Sequence, residues 1–363
     1  MINQIEPWIN YQELWQLTRV VRSTFVTENL LTKEFESRIL DLTSSSHAVS
    51  IANGTLALVS ILQALDIGPG DEVIVPNLTF VATSNAVLLV GATPVFCDVS
   101  LANWGLDCSL LESLITIKTR AVIAVHLYGG AADIDKISKI CSLHKLFFIE
   151  DAAQGVGVKY NGSHVGTFGA ASILSFYGNK TITSGEGGIV LTQDPQIARR
   201  IYQLKNHGRS AKGTFIHESI GYNYSFTEMQ AAIGIAQLKK LDRIIAKKAW
   251  IRSFYMKRLN NYYQFTSTVG NVDHVHWFTT IKTNDPQGLS DSLKSCGIGS
   301  RRLFYPLHLQ PCYQHLNDSF RSDFSSSLAL YGSFLSLPSS FNISRFQLKY
   351  VCDKLILFAS QYA

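Results

Sequence analysis

Apolar and polar positions alternate in blocks between residues 47 and 192. Short apolar and β-branched runs recur there: AVSIA, DEVIVP, TPVFCDV, AVIAVHLYG, KLFFIED, ASILSF and GIVLT. Several are apolar almost throughout, as strands covered on both faces are. Between them lie TLALVSILQAL, ATSNAVLLV and DIDKISKICSLHK, whose apolar residues fall at helical spacing. The alternation predicts an α/β domain on a mainly parallel sheet. In such sheets ligands gather at the carboxyl ends of the strands.

Beyond residue 224 the pattern lengthens. SFTEMQAAIGIAQLKKLDRIIAKKAWIRSFYMKRL has no proline and a single glycine, Gly234. It predicts one long helix whose start, Ser225 to Glu228, fits a capping box. After about residue 250 come a run HWFTTIK, a helical GLSDSLKSCG, a run RRLFYPLH, a turn near LSLPSS and a last helix RFQLKYVCDKLILFASQ. This part reads as a small α+β domain. The expected division is 1–248, with an N-terminal arm, and 249–363.

Composition agrees with a large packed core. Of 363 residues, 46% are apolar and 16% charged, which excludes a disordered chain. The net charge of +5 contains no run of five like charges. The densest basic cluster, Lys239, Lys240, Arg243, Lys247 and Lys248, falls on the expected long helix and reads as a solvated face. A nucleic-acid partner would need basic residues interleaved with aromatics on one surface, a pattern not seen here. Six cysteines are scattered without a C-x-x-C pair, so neither a disulfide framework nor a metal site follows. Buried free thiols in a reducing compartment are expected. No apolar stretch reaches the roughly 18 residues of a membrane span. The start, MINQIEPWINYQELW, does not read as a signal peptide. A cytoplasmic protein is expected.

Four stretches bring chemistry to what should be one rim of the sheet. In ANGTLAL, Asn53, Gly54 and Thr55 turn into a helix, whose unpaired N–H groups suit a phosphate. A plain helix cap looks the same. In FFIEDAAQ a strand ends at Glu150 and Asp151, with Gln154 beyond. A carboxylate there is costly unless paired. It either caps the next helix or partners a protonated ring nitrogen. In SFYGNKTITSGEGG, Ser175 ends a strand and Lys180 follows in a turn of small residues. A covalent lysine works through a Schiff base in a partly dry site. The G-x-x-x-x-G-K-[ST] loop of nucleotide triphosphatases is absent. In PNLTFVATSNAV, Phe80 precedes a helix and is either a core ring or a platform for a flat ligand.

Taken together, these signals describe a planar, phosphorylated pyridine aldehyde, which is pyridoxal phosphate. Its phosphate belongs at Gly54, Thr55 and Ser175, its ring nitrogen at Asp151, one ring face on Phe80 and its aldehyde on Lys180.

The motifs EDAAQ, SFYGNKTITSGEGG, GYNYSFTEMQAAIG and NGTLAL…GPGDEVIVP…GATPVFCDV resemble those of the DegT/DnrJ/StrS sugar-nucleotide aminotransferases. Within that family they are most similar to the GDP-perosamine synthases. The likeness is dense from about residue 20 to 245 and looser after it. The resemblance implies the fold-type I aminotransferase fold and a homodimer with both sites at the subunit interface. It implies amino transfer from glutamate to carbon 4 of GDP-4-keto-6-deoxymannose, in surface-polysaccharide synthesis. It also implies roles for single residues: Lys180 as the Schiff-base lysine, Asp151 at the pyridine nitrogen, Gln154 near the ring hydroxyl and Phe80 on the ring. Gly54, Thr55 and Ser175 would hold the phosphate, and Asn223 would reach the phosphate of the neighbouring subunit. His308, in FYPLH, would contact the nucleotide sugar.

Two departures are visible. Ser225 and Phe226 stand where the family usually has Arg-Met. STFVTENLLTKEFE, residues 23–36, replaces a glycine-bearing stretch that commonly borders the sugar. A dTDP- or UDP-linked keto-sugar is the alternative substrate class. A lyase or a non-catalytic regulator on the same fold are further alternatives, but Lys180 argues against the related dehydratases that carry histidine there.

Overall fold

The computed structural model describes residues 1–210, 213, 215–267 and 270–361. All seven apolar runs become strands of one sheet. From one edge to the other the order is His47–Ile51, Gly188–Thr192, Ala171–Ser175, Phe147–Asp151, Thr119–Val125, Glu72–Pro76 and Thr93–Cys97. Gly188–Thr192 runs antiparallel to both neighbours, and the remaining pairings are parallel.

Alternation along the strands sorts their side chains to two faces. Phe148, Leu174, Ile189 and Leu191 enter one core with Phe35 and Ile39 of the helix Leu30–Thr43. Ile149, Ile173 and Val190 enter the other with the helix Gly54–Ala64, which is buried almost all round. Register then decides the rim: Asp151 pairs with Val125 and Ile173, while Ser175 and Ile51 both pair with Gly188. Asp151 follows the face of Ile149, and Glu150 takes the opposite face.

A second, antiparallel sheet is ordered Gln264–Phe265, Thr279–Lys282, Phe334–Leu337, Arg301–Arg302. It shares a core with the helices Pro286–Ser295 and Arg345–Gln361. RRLFYPLH is strand only at Arg301–Arg302; the chain then leaves the sheet. The short strand Val272–Asp273 pairs with Lys159–Tyr160 in a third sheet and so ties the late part of the chain to the large one.

The expected long helix is two, Glu228–Leu238 and Leu241–Leu259. Neither Gly nor Pro breaks it. The Lys240 N–H bonds to Gln237 O, three residues back, and the chain turns there. Lys240 Nζ is held by Trp8 O at 2.7 Å and pairs with buried Glu13. Leu241 and Ile244 face the large core, and Ile251, Tyr255 and Leu259 the small one.

The basic cluster is therefore a solvated face only in part, at Lys239 and Arg243. Lys240 and Lys248 are buried, and Lys248 Nζ donates to Trp277 O at 2.9 Å. Helix amphipathicity misled because long lysines thread their stems through apolar contacts to reach carbonyls.

The capping box is also shifted. Thr227 and Gln230 form it, and the Glu228 carboxylate instead accepts N–H bonds from Asn29, Leu31 and Thr32, capping Leu30–Thr43 across space. The six cysteines are free, three of them buried. Among the described residues no helix is long and apolar enough to cross a membrane.

Candidate active site

The rim at the strand ends is crowded by close backbone approach. Asn53 caps the helix Gly54–Ala64 by accepting the Leu56 N–H at 3.0 Å. A Cβ added to Gly54 would stand 3.3 Å from Ser175 Cβ and 3.4 Å from its Oγ. One on Gly188 would press to 2.6 Å from the Asn53 carbonyl carbon. Helix start, strand end and antiparallel strand thus converge at one point. Gly54, Thr55 and Ser175 are brought together there, with the free N–H groups of a first helical turn.

The two strand-end carboxylates separate sharply. Glu150 is fully buried and accepts N–H bonds from Gly166, Phe168 and Gly169 at 2.7, 2.7 and 2.8 Å, and it meets His126 Nε2 at 2.9 Å. Burial pushes its carboxyl up, but His126 and the amides outweigh this and hold it below the usual range. Both oxygens of Glu150 are thus occupied by the loop 166–169 and His126. Asp151, 5% exposed, accepts Thr83 Oγ1–H at 2.7 Å and the Ala153 N–H at 3.1 Å. Thr83 lies in the helix Ala82–Leu89, so the segment that orients Asp151 also brings up Phe80. Gln154 Oε1 accepts the Tyr128 N–H at 2.7 Å, and Tyr128 itself is held at φ 53°. A left-handed tyrosine is a strained position that the surroundings must enforce.

Lys180 is partly buried. Its Nζ lies 4.7 Å from the centre of the Trp277 ring. Burial lowers its amine to about 8; the Asp151 charge opposes this and Arg301 adds to it. The Asp151 charge therefore reaches Lys180. An aromatic wall leads to it: Phe80 to Phe304 at 5.8 Å, Phe304 to Tyr128 at 5.7 Å, Tyr128 to Trp277 at 5.8 Å. The Phe80 ring is 53% exposed, more than a core residue would be.

Two expected residues stand apart from this group. Asn223 is exposed; its side chain accepts the Ser225 N–H at 3.3 Å, and its neighbour Tyr224 accepts from Ala52, beside the helix start. His308 stacks on Phe324 at 4.4 Å, and its Nδ1 lies 2.8 Å from Asn77 Nδ2, just past the strand Glu72–Pro76. The sequence reading missed Thr83, Tyr128, Trp277 and Arg301. Thr83 had a signal, lying one helical turn after Phe80; the others come from distant segments and had none.

The two departures from the family pattern meet. Phe35, in the stretch 23–36, stacks on Phe226 at 5.5 Å and meets Phe176 edge-on at 5.0 Å, directly behind Ser175.

The donor set fits pyridoxal phosphate. An amine of lowered basicity stands within the field of a buried carboxylate, and a first helical turn lies against a serine hydroxyl. An exposed ring stands at the mouth.

Comparison with known proteins agrees. Residues 7–356 match the model of the DegT/DnrJ/EryC1/StrS aminotransferase family. The chain is 37% identical over 360 residues to a GDP-perosamine synthase of Escherichia coli O157:H7, covering 98% of each. It is 38% identical to a UDP-N-acetyl-3-dehydro-alpha-D-glucosamine 3-aminotransferase of Acidithiobacillus ferrooxidans, covering 78% of this chain and 77% of that one. Among solved structures, DesV of S. venezuelae, in complex with a ketimine intermediate, superposes with a TM-score of 0.89 at 32% identity, covering 96% and 94% of the two chains.

Proposed function

The chain belongs to the DegT/DnrJ/EryC1/StrS family of pyridoxal phosphate-dependent sugar aminotransferases, and on that premise we propose that it moves the amino group of glutamate to the 4-keto carbon of GDP-4-keto-6-deoxymannose, giving GDP-perosamine. The observation that carries the chemistry is the Lys180 amine, lowered to about 8 and within reach of the Asp151 charge. Similarity over nearly the whole chain to a GDP-perosamine synthase supports the substrate.

When bound, pyridoxal phosphate supplies an electron sink through which an amino group passes between two carbonyl carbons. Lys180 would hold the cofactor covalently. Gly54, Thr55 and Ser175 would bind its phosphate with the N–H groups and dipole of the helix start. Asp151, fixed by Thr83, would hold a proton at the pyridine nitrogen. Gln154, oriented by the Tyr128 N–H, would lie near the ring hydroxyl, and Phe80 would stack on the ring. With a substrate bound, Lys180 Nζ would take the proton from the substrate carbon as base and deliver it to the acceptor carbon as acid. An amine near 8 serves both directions close to neutral pH. His308 and the wall at Phe304 border the sugar nucleotide.

The assembly we propose is a homodimer. Phe25, Leu30, Phe215, Ile216, Ile220 and Met229 are exposed, more apolar surface than a lone chain usually leaves wet. The Glu228 N–H bonds to Val26 O, which joins the two exposed segments. Asn223 lies on this strip, and Asn223 of the partner subunit would complete the phosphate site.

Incubation with glutamate and a panel of GDP-, dTDP- and UDP-linked 4-keto-6-deoxyhexoses, with products weighed by mass spectrometry, tests the reading. Amination of the GDP sugar with release of 2-oxoglutarate supports it. The relative named for a UDP sugar supports a second reading, and exclusive amination of a UDP- or dTDP-linked sugar would replace the first with it.

A further inference from the structure

We propose that Trp277 is a positioning residue for Lys180: its indole face seats the free ε-ammonium, and its ring N–H ties down the peptide that carries the lysine. This rests on Lys180 being the cofactor lysine.

Two contacts reach the same short loop from one side chain. The Lys180 nitrogen stands 4.7 Å from the indole centroid. The indole Nε1–H donates to the carbonyl of Asn179, the residue before the lysine, at 2.6 Å. Main chain and amine are thus both fixed by one rigid plane. Bonds of Phe176 to Gly187, Ser184 and Thr183 close the base of this loop, and the Trp277 bond reaches its lysine-bearing turn. The loop leaves the sheet at Ser175, turns with Lys180 N–H on Tyr177 O at 2.9 Å, and passes Gly185 at φ +86° before returning at Gly188. None of that fixes where a four-carbon side chain points.

Trp277 is itself held firmly. It is 2% exposed, and its ring lies 4.3 Å from Phe278. Its carbonyl accepts from buried Lys248 at 2.9 Å, and two residues earlier the Val275 N–H bonds to Gly129 O at 3.1 Å. A residue kept only for its volume would need neither the Asn179 bond nor a cation over its face.

The chemistry calls for this kind of seat. A lysine that alternates between a bond to the cofactor and free amine must be parked close by when released. A carboxylate partner would hold the ammonium tightly and suppress the neutral form. An aromatic face attracts the cation more softly and accepts the neutral amine without loss. The charged and titratable groups around Lys180 are Asp151, which favours the ammonium, and Arg301, which disfavours it. Tyr128 stays protonated because burial raises its hydroxyl, and Lys248 lies behind the indole on the carbonyl side.

The test uses cofactor-free protein and does not depend on turnover. Indole emission is followed from pH 6 to 10 in the wild type and in Lys180→Met. The subtraction is needed because the chain has 5 tryptophans. A step centred near 8, present only in the wild type, is expected as the ammonium over the ring loses its charge. A missing step, or one that persists in Lys180→Met, overturns the seat.

Trp277→Phe and Trp277→Leu separate the two contacts. The ionisation of Lys180 is read from the pH dependence of its acylation rate, by peptide mass. Trp277→Phe should keep most of the wild-type value, and Trp277→Leu should fall by about one pKa unit. An unchanged or raised value in Trp277→Leu refutes the seat. Both variants lack the ring N–H, so amide exchange across 176–187 should quicken at least about tenfold in each. If Trp277→Leu does not fold, unchanged exchange in Trp277→Phe still refutes the tether. A protein that shows the emission step but transaminates no sugar would count against the proposed function and leave the seat standing.

Discussion

Replacing Lys180 with methionine should make the cofactor-free protein more stable while removing its activity. Burial lowers the Lys180 amine from 10.5 to about 8, against the pull of Asp151. Each pKa unit is worth about 1.4 kcal/mol, so holding the ammonium in the folded cleft costs about 3 kcal/mol. The attraction of the indole face is already contained in that value. Methionine keeps the apolar stem and has no charge to desolvate, so the gain is about 3 kcal/mol. The sign with pH follows from a folded value below the unfolded one. The cost is fully present below pH 8, where both states carry the charge. It is released as pH rises toward 10.5, because the folded amine is already neutral while the unfolded one still binds its proton. Urea unfolding at fixed protein concentration, at pH 7 and pH 10, measures the gap between wild type and variant. A variant no more stable at pH 7, or a gap equal at both pH values, would refute the claim that the lysine stands in a desolvated site.

Three further outcomes are expected. Asp151→Asn should leave the protein folded and able to take up cofactor, with turnover at least about a hundredfold slower; near-normal rates under saturating substrates would remove Asp151 from the chemistry. Glu150→Gln should do the reverse, costing about 3 kcal/mol in urea unfolding and sparing kcat, because three amide N–H groups and His126 lose an ionised acceptor. The wild-type carboxyl is held below 4.5, so its contribution is present above that pH and fades as pH falls through its folded value; a stability difference that does not narrow in acid would contradict this. Gly188→Ala should raise the dissociation constant for pyridoxal phosphate at least about tenfold, because the new methyl meets the Asn53 carbonyl and the Gly54 nitrogen and moves the helix start. Unchanged affinity in a fluorescence titration would detach that helix start from the phosphate.

Much of the large sheet was legible because its signals are local. An apolar strand buried on both faces, Asn53 before an apolar helix and a lysine among glycines each state their environment within a few residues. The pair Glu150–Asp151 shows where local reading stops. Both residues are acidic, adjacent and buried, and alternation sends them to opposite faces. Only the loop 166–169 on one side and Thr83 on the other distinguish a structural carboxylate from one whose charge reaches Lys180. The basic stretch from Lys239 to Lys248 failed in part for the same reason. Nothing nearby in sequence shows that Trp8 O and Trp277 O wait for two of its amines.

Sequence by itself determined the strands of the large sheet and marked Lys180 as the candidate reactive amine, since periodicity, capping and turn chemistry act over neighbouring residues. Tertiary structure alone decided what orients each carboxylate and what lies beneath the amine. Trp277 is 97 residues from Lys180 along the chain, and its place under Nζ depends on how the strand Val272–Asp273 pairs with Lys159–Tyr160. The basicity of the lysine depends in turn on the water those contacts exclude, and desolvation is a property of packed volume that no stretch of residues carries alone.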